Sequence, residues 1–300
     1  MITVDLKKPL NIVIETTALC NLRCSMCGRT TTKRTLGHMK REYVFDILDQ
    51  IAAWDGEHIR VWYCFLGEPL IIHKRLAKYI EYGVCAGIKN NIINTNGILM
   101  TPNVTDRLIE AGLTEIYIGI DAATEETYSK IRRGGDFNKV VNNVMYLLRK
   151  RPQHLKVTVQ MIEMRINREE KEQFSNFWRD QGANVFCKKE LNWTGETGLS
   201  QSDDGDKQMR YACPWIIDTM GIYWDGSVPF CVNDWNGRTV FGHIKEHSLV
   251  SLWNTQIKSH AKYHLLHQWD NIPSICLSCT DWKGKEQRQV IGLPNFDLST

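Results

Sequence analysis

The chain has 300 residues, of which 43% are hydrophobic and 24% charged, proportions typical of a globular protein large enough for two domains. The formal net charge of +3 is small for this length and argues against a dedicated nucleic-acid-binding protein. No apolar run approaches the ~18 residues needed to span a bilayer, and the N-terminus lacks a signal-peptide pattern. We therefore expect a cytoplasmic protein without membrane contact.

Strand-like and helix-like segments alternate over the first two-thirds of the chain. Six successive β–α units predict a parallel sheet with right-handed crossovers. A partial (β/α)6 TIM barrel fits this α/β pattern better than a doubly wound sheet, although periodicity alone does not separate the two. The predicted strands cover 11–17, 59–65, 90–96, 115–121, 156–164 and 184–189, and the predicted helices 40–54, 74–84, 102–112, 124–150 and 168–181.

The pattern changes after a polar stretch at 192–208, whose Gly, Ser and Asp residues predict a linker. Beyond it, residues 216–232 predict a β-hairpin that turns at Asp225-Gly226, and a helix is predicted over 248–266. We therefore expect a barrel domain over 1–205 and a small second domain over 206–300.

Ten cysteines are many for a chain in a reducing compartment, where clustered thiols are more often metal ligands than disulfides. Cys20, Cys24 and Cys27 form the pattern C-x3-C-x2-C directly after the first predicted strand, where active sites of parallel β/α folds lie. Three cysteines hold three irons of a [4Fe-4S] cube and leave the fourth iron open to a ligand. A zinc site completed by a distant residue such as His38 is the structural alternative.

This cysteine pattern resembles the signature of the radical S-adenosylmethionine (radical SAM) enzymes. The resemblance spans about residues 11–190, with Met26 where the family usually has an aromatic residue. It implies that the open iron binds SAM, and that reductive cleavage of SAM gives a 5′-deoxyadenosyl radical that removes a hydrogen atom from substrate. It also implies a reducing partner such as flavodoxin or ferredoxin.

Further segments resemble the family in the same order. FLGEPL (65–70) is similar to its G-G-E-P element, with Leu66 in place of the first Gly, and implies that Glu68 binds the SAM ammonium. NTNG (94–97) resembles the segment near the SAM ribose. IGIDAATEETYSKIRRGGDF (118–137) resembles a common family stretch, with Gly119 where Ser is frequent. The cofactor-binding residues implied in this way are Met26, Gly67, Glu68, Pro69, Asn94, Asn96, Asp121, Arg132 and Gln160.

A second cysteine set has the spacing C-x17-C-x44-C-x2-C, for which a structural zinc is the alternative interpretation. The surrounding residues resemble the SPASM domain in its short, one-cluster form, called twitch, in which four thiolates hold an auxiliary [4Fe-4S] cluster. The spacing is also similar to that of aminoglycoside-pathway radical SAM dehydrogenases, such as the butirosin-pathway 2-deoxy-scyllo-inosamine dehydrogenase, which oxidise an alcohol to a ketone. The set comprises Cys213, Cys231, Cys276 and Cys279.

These features predict a radical SAM oxidoreductase that oxidises a secondary alcohol of a small polar substrate, a sugar or aminocyclitol, with the auxiliary cluster as electron acceptor. The alternative is an epimerase in which Cys64 or Cys187, on the second and sixth predicted strands, donates a hydrogen atom. Modification of a ribosomal peptide is a third hypothesis, which we disfavour because a strand predicted near residue 11 leaves no room for a leader-binding domain. A metal-bearing binding protein without catalysis is the fourth.

Overall fold

The computed structural model describes residues 6–190 and 210–283; the predicted linker at 192–208 and the predicted domain boundary at 205 lie outside these ranges. The six strands predicted for the barrel are all present in the predicted order, several of them shorter than predicted. Three more follow in the second part of the chain. The strands are β1 (Asn11–Ile14), β2 (Arg60–Trp62), β3 (Asn90–Thr95), β4 (Glu115–Gly119), β5 (Lys156–Glu163), β6 (Asn184–Lys189), β7 (Thr219–Ile222), β8 (Ser227–Pro229) and β9 (Val240–His243).

The main sheet has seven parallel strands in the order β6-β5-β4-β3-β2-β1-β7. A doubly wound sheet reverses its strand order at a switch point. From β1 to β6 the order here follows the chain without reversal, which is the progression of a barrel. The two outermost strands, β6 and β7, have no second neighbour among the described strands, so the barrel is partial and open on one side.

The helices cover the outside of the sheet, because their apolar residues recur at helical spacing and lie on one face. In α1, Val44, Ile47, Leu48 and Ile51 are all buried. No helix in the described part of the chain is long and apolar enough to cross a membrane. The helices are α1 (Arg41–Asp55), α2 (His73–Cys85), α3 (Pro102–Glu110), α4 (Glu125–Ile131), α5 (Phe137–Lys150), α6 (Lys171–Asp180), α7 (Pro214–Asp218), α8 (Leu249–Leu252), α9 (Lys258–Leu265) and α10 (Ser274–Leu277), with a π-helical turn (Trp253–Ile257) joining α8 to α9.

The predicted hairpin at Asp225-Gly226 is wrong in its strand pairing. The turn itself is present, with Gly226 at φ +95°. However, β7 before the turn pairs in parallel with β1, and β8 after it pairs antiparallel with β9. A segment that follows the polar stretch thus completes the barrel sheet, a long-range pairing that the local turn signal does not reveal.

A buried ion pair joins the start of the cysteine loop to the second part of the chain. Both oxygens of Glu15, which is fully buried, accept hydrogen bonds from the Arg34 guanidinium at 2.8 and 2.9 Å. Arg34 also donates to the carbonyl of Trp235 at 2.7 Å, and its guanidinium lies 3.8 Å from the centre of the Tyr223 ring. The backbone N–H of Trp224 donates to Glu15 at 3.1 Å. This pair therefore fixes β1, the segment after the cysteines, and the segment after β7 against one another.

Arg34→Met is expected to lower the free energy of unfolding by about 3–5 kcal/mol, because it leaves the Glu15 carboxylate buried without its counter-charge. The measurement is chemical denaturation of the anaerobically loaded protein. The matched control is Lys130→Met, which removes an exposed pair with Glu126 and should leave the free energy of unfolding nearly unchanged. The double variant Glu15→Met/Arg34→Met should be more stable than Arg34→Met alone. An Arg34→Met protein as stable as the Lys130→Met protein would show that the junction is not held by this pair.

Candidate functional site

The three cysteines of the first set lie in the loop after β1, at the carboxyl end of the sheet, as predicted. From Cys20 to Cys27 the loop contains no helix or strand, and a 3₁₀ turn (Gly28–Thr30) follows directly. Two backbone hydrogen bonds tie it to the end of α4: Arg23 N–H donates to Arg133 O at 3.0 Å, and Ser25 N–H donates to Ile131 O at 2.9 Å. Met26 is partly buried against the hydrophobic core. The loop therefore takes its shape from its neighbours.

Nitrogen donors lie near the sulfur atoms of two of the three cysteines. Leu22 N lies 3.4 Å and Asn96 Nδ2 3.8 Å from Cys20 Sγ, and Arg132 Nη1 lies 3.7 Å from Cys24 Sγ. Burial raises the pKa of Cys20 to about 11, so without metal this thiol keeps its proton at neutral pH. Iron binding releases that proton, and N–H donors of this kind stabilise the resulting thiolate.

The donor set fits an iron–sulfur cube. Within residues 6–190 and 210–283, no three His, Cys, Asp or Glu side chains converge on a point where one metal ion would bind. A cube offers a separate iron to each thiolate, so its ligands need not converge in this way. His38, the alternative zinc ligand, has its Nδ1 atom 2.9 Å from Thr17 Oγ1.

Glu68 is a buried carboxylate held beside this loop. It is 2% exposed and accepts hydrogen bonds from Thr95 Oγ1 and Asn96 N, both at 2.7 Å, and from Leu70 N at 3.0 Å. A Cβ atom on Gly67 would lie 2.0 Å from Thr17 O, so only glycine permits this approach to the cysteine loop. Pro69 begins the 3₁₀ turn that follows. Burial raises the pKa of Glu68, with the three hydrogen bonds opposing the rise.

Asp121 and Arg132 form a buried ion pair beneath the loop. The guanidinium donates to Asp121 Oδ2 at 2.6–2.7 Å, and Ile162 N donates to Asp121 Oδ1 at 2.7 Å. Asp121 therefore contacts the Arg132 guanidinium and positions it next to Cys24. A Cβ atom on Gly119 would lie 2.2 Å from Arg132 Nη2, which gives a physical reason for glycine where the family often has serine.

Asn94 and Gln160 meet on the face of the sheet that lines the barrel interior. Asn94 Nδ2 donates to Gln160 Oε1 at 3.2 Å. In the β5–β6 register Gln160 pairs with Phe186 and Ile162 pairs with Lys188, so Lys188 lies on the same face as Gln160. Burial lowers the pKa of the Lys188 amine; the charge of Asp121 opposes this shift and that of Arg132 adds to it.

The two predicted hydrogen-atom donors lie on opposite faces of the sheet. Cys64 is buried, and its sulfur accepts a hydrogen bond from Asn94 N at 3.1 Å. Cys187 lies 3.6 Å from Ser175 Oγ of α6, in the layer between sheet and helices. Successive residues of a strand point to opposite faces, so Cys187 faces away from the interior face on which Lys188 lies. This placement argues against Cys187 as a hydrogen-atom donor to a substrate in the barrel.

All four cysteines of the second set line one cavity, whose empty volume is ≈ 350 Å³ with its open mouth included. Asn233 N and Asp281 N each lie 3.4 Å from a cysteine sulfur, those of Cys231 and Cys279. Four thiols at one cavity fit a closed four-cysteine site.

The same cavity contains unpartnered nitrogen donors. His264 on α9 is fully buried, and neither ring nitrogen has a hydrogen-bond partner in the described part of the chain. Arg210 donates from Nη2 to the carbonyl of Cys276 at 2.7 Å, while its buried Nε has no partner among the same residues. An unpaired buried donor is costly, so these atoms indicate a group in the cavity that accepts from them.

Sequence reasoning did not identify Lys188, Arg210 or His264. The alternation along β6 could have identified Lys188 once Gln160 was assigned to the interior, because the register of neighbouring strands then fixes the face. For Arg210 and His264 no local signal exists, since only the folded chain brings them to the second cysteine set.

Comparison with known families gives two matches. Residues 14–177 match the radical SAM superfamily, and residues 213–280 match an iron–sulfur cluster-binding domain named SPASM. The second match contains all four cysteines of the second set. The cofactors of these domains are SAM with a [4Fe-4S] cluster, and auxiliary iron–sulfur clusters.

Curated relatives match only part of the chain. GTP 3′,8-cyclase of Alkaliphilus oremlandii is 34% identical over 137 residues, which cover 45% of this chain and 42% of that protein. Mycofactocin maturase MftC of Mycobacterium tuberculosis is 30% identical over 146 residues, covering 47% of this chain and 35% of that protein. The chain thus spans less than half the length of these relatives.

Solved structures match nearly the whole fold at low sequence identity. SuiB of Streptococcus suis bound to the precursor peptide SuiA has a TM-score of 0.70 and 13% identity, over 97% of this chain and 76% of that chain. BtrN in complex with AdoMet and 2-DOIA has a TM-score of 0.64 and 18% identity, over 91% of this chain and 94% of that chain. Since the superfamily match covers more than half of the 300 residues, the chain belongs to the radical SAM superfamily.

Proposed function

We propose that this radical SAM enzyme oxidises a secondary alcohol of a small polar molecule, a sugar or aminocyclitol, to a ketone. The observation that carries the proposal is the cavity lined by Cys213, Cys231, Cys276 and Cys279. Four thiolates satisfy all four irons of a cube, so a cluster held there has no iron left for substrate. Such a closed cluster is suited to accept an electron, which is what the oxidation of an alcohol requires.

The proposed reaction balances with the cofactors of this family. Bound and reduced, the first cluster and SAM supply a 5′-deoxyadenosyl radical, which takes one hydrogen atom from the carbinol carbon. A base takes the hydroxyl proton, and the remaining electron goes to the auxiliary cluster. The C–H and O–H bonds break and a C=O bond forms, so the substrate loses two hydrogens and no flavin or nicotinamide is needed.

Lys188 is our proposal for the base. It lies on the interior face of β6, opposite Ile162 and on the same face as Gln160 of β5, at the carboxyl end of the sheet. Burial lowers the pKa of its amine, which favours the neutral form that accepts a proton. Its hydrogen-bonding capacity is free for a substrate, because the described part of the chain provides no partner for it.

Two of the similar solved structures hold ligands of different kinds: one chain is bound to 2-DOIA and the other to a precursor peptide. The second likeness makes a peptide substrate the alternative.

Cys64 favours a second candidate function, epimerisation. Burial raises the pKa of Cys64 to about 12, so its thiol keeps the S–H hydrogen that a donor to a substrate radical must have. It lies next to Asn94 at the interior face. An epimerase returns a hydrogen atom to the opposite face of the carbon and leaves the mass of the substrate unchanged.

For the cofactors, we propose that Cys20, Cys24 and Cys27 hold the open cluster and that Glu68 accepts the SAM ammonium. A carboxylate has about four lone-pair sites, and three donors already occupy part of this capacity in Glu68. One site remains for a charged amine. Arg132 is assigned to the SAM carboxylate, with Asp121 positioning it. The remaining contacts with SAM are assigned to Met26, Gly67, Pro69, Asn94, Asn96 and Gln160.

Glu68→Gln is expected to weaken SAM binding by about tenfold to a hundredfold, because a charge-assisted hydrogen bond to the ammonium is lost. Isothermal titration of SAM into the anaerobic, iron-loaded protein measures this change. Glu81→Gln, an exposed substitution on α2, is the matched control and should leave binding unchanged. Wild-type affinity in a Glu68→Gln protein with wild-type iron content would contradict the assignment.

Incubation with SAM, dithionite and a panel of sugars and aminocyclitols is expected to yield a product two hydrogens lighter than its substrate. If the carbinol carbon of the substrate carries deuterium, that deuterium should appear in 5′-deoxyadenosine, and mass spectrometry checks both points. Lys188→Met should reduce ketone formation by about 10²–10⁴-fold, the usual contribution of a general base, while 5′-deoxyadenosine still forms.

Cysteine variants distinguish dehydrogenation from epimerisation. Cys64→Ala should still form the ketone, with Cys187→Ala as a matched control, since that thiol faces α6. A product of unchanged mass that contains one solvent deuterium, together with loss of turnover in Cys64→Ala, would establish the epimerase instead. Turnover of a peptide but of no small molecule would contradict the proposed substrate class.

A further inference from the structure

Two side chains at the cavity of the second cysteine set, His264 and Arg210, have buried nitrogen atoms with no hydrogen-bond partner among the described residues. His264 is 0% exposed, and its ring lies edge-on to Trp269 at a centroid distance of 5.9 Å. Within residues 6–190 and 210–283, neither of its ring nitrogens has a partner, and nor does Nε of Arg210. The rest of the lining includes the apolar Phe230 and Ile275. The described part of the chain therefore offers these atoms no acceptor in the cavity.

Such an arrangement is unfavourable unless a bound group accepts from the donors. Leaving a buried donor unsatisfied costs about 1–3 kcal/mol, and an apolar side chain in place of His264 would avoid that cost. Burial, together with the charge of Arg210, lowers the pKa of His264 to about 4, so the ring is neutral at pH 7 and carries one N–H. The sulfur atoms of a cluster bound by the four cysteines are the acceptors that this cavity would supply.

We propose that His264 and Arg210 donate hydrogen bonds to the sulfur atoms of the auxiliary cluster and thereby raise its reduction potential. The inference rests on the proposed role of this cluster as electron acceptor. Reduction adds one negative charge to the cluster, and N–H donors and a guanidinium stabilise that charge. Asp234 and Asp281, the acidic residues near the cysteines, act in the opposite direction. The two donors thus favour electron transfer from substrate to the cluster.

The test measures the midpoint potential of the auxiliary cluster alone. In the full chain, substitution of Cys20, Cys24 and Cys27 by Ala removes the open cluster, and an EPR-monitored redox titration then reports only the second one. In this background His264→Phe keeps the ring shape and removes the N–H. Its equilibrium constant for reduction should fall about tenfold, or about 59 mV for one electron. Arg210→Gln should shift the potential in the same direction.

His260→Phe is the matched control, because it makes the same substitution one helical turn earlier on α9 in a ring that does not line the cavity. Its potential should equal that of the parent. An unchanged potential in His264→Phe and Arg210→Gln, with about four irons retained, would overturn the inference while leaving the electron-acceptor role intact. Zinc in place of iron in the parent would instead refute the proposed function.

A second measurement begins with the parent protein, in which the cavity is unchanged. Electron–nuclear double resonance of the reduced cluster in H2O and D2O detects nearby exchangeable protons and nitrogen. We expect an exchangeable proton and a nitrogen coupling that disappear or weaken in His264→Phe. The absence of both couplings in the parent would overturn the inference, even if the variants failed to bind iron.

Discussion

The segment from Cys20 to Cys27 has no helix or strand of its own, so the neighbouring elements must impose its shape. Backbone hydrogen bonds attach it to the end of α4, and Gly67 brings the β2–α2 connection against Thr17. The parallel sheet makes this possible, because the carboxyl ends of all its strands lie at one edge. The other site residues, among them Glu68 and Arg132, lie next to this loop.

The two cysteine sets occupy environments that suit different tasks. Around the first set, the buried Glu68 and the Asp121–Arg132 pair provide fixed charges of both signs, as recognition of an amino acid group such as that of SAM requires. Around the second set, four thiols share one cavity with apolar walls and with nitrogen donors. The first arrangement is suited to bind and cleave a ligand, and the second to hold an electron.

Much of this could be predicted from sequence, because the signals are local. The spacing of the cysteines, the alternation of strands and helices and the G-E-P element each lie within a short window, and the predicted order of the six barrel strands agrees with the structure. What could not be predicted depends on contacts between distant segments. The pairing of β7 with β1, the side of the sheet that Cys187 faces and the approach of His264 to the second cysteine set all require the folded chain.

The most direct test of the account is the metal content of the protein and of two cysteine-to-alanine sets, prepared anaerobically with iron and sulfide. The account predicts about eight irons and eight sulfides per chain in the unsubstituted protein. The variant that lacks Cys20, Cys24 and Cys27 should contain about four irons and four sulfides and should not bind SAM. The variant that lacks Cys213, Cys231, Cys276 and Cys279 should contain the same amounts and should still bind SAM. Stoichiometric zinc with little sulfide at either site would contradict the central claim that one open and one closed cluster work together in this protein.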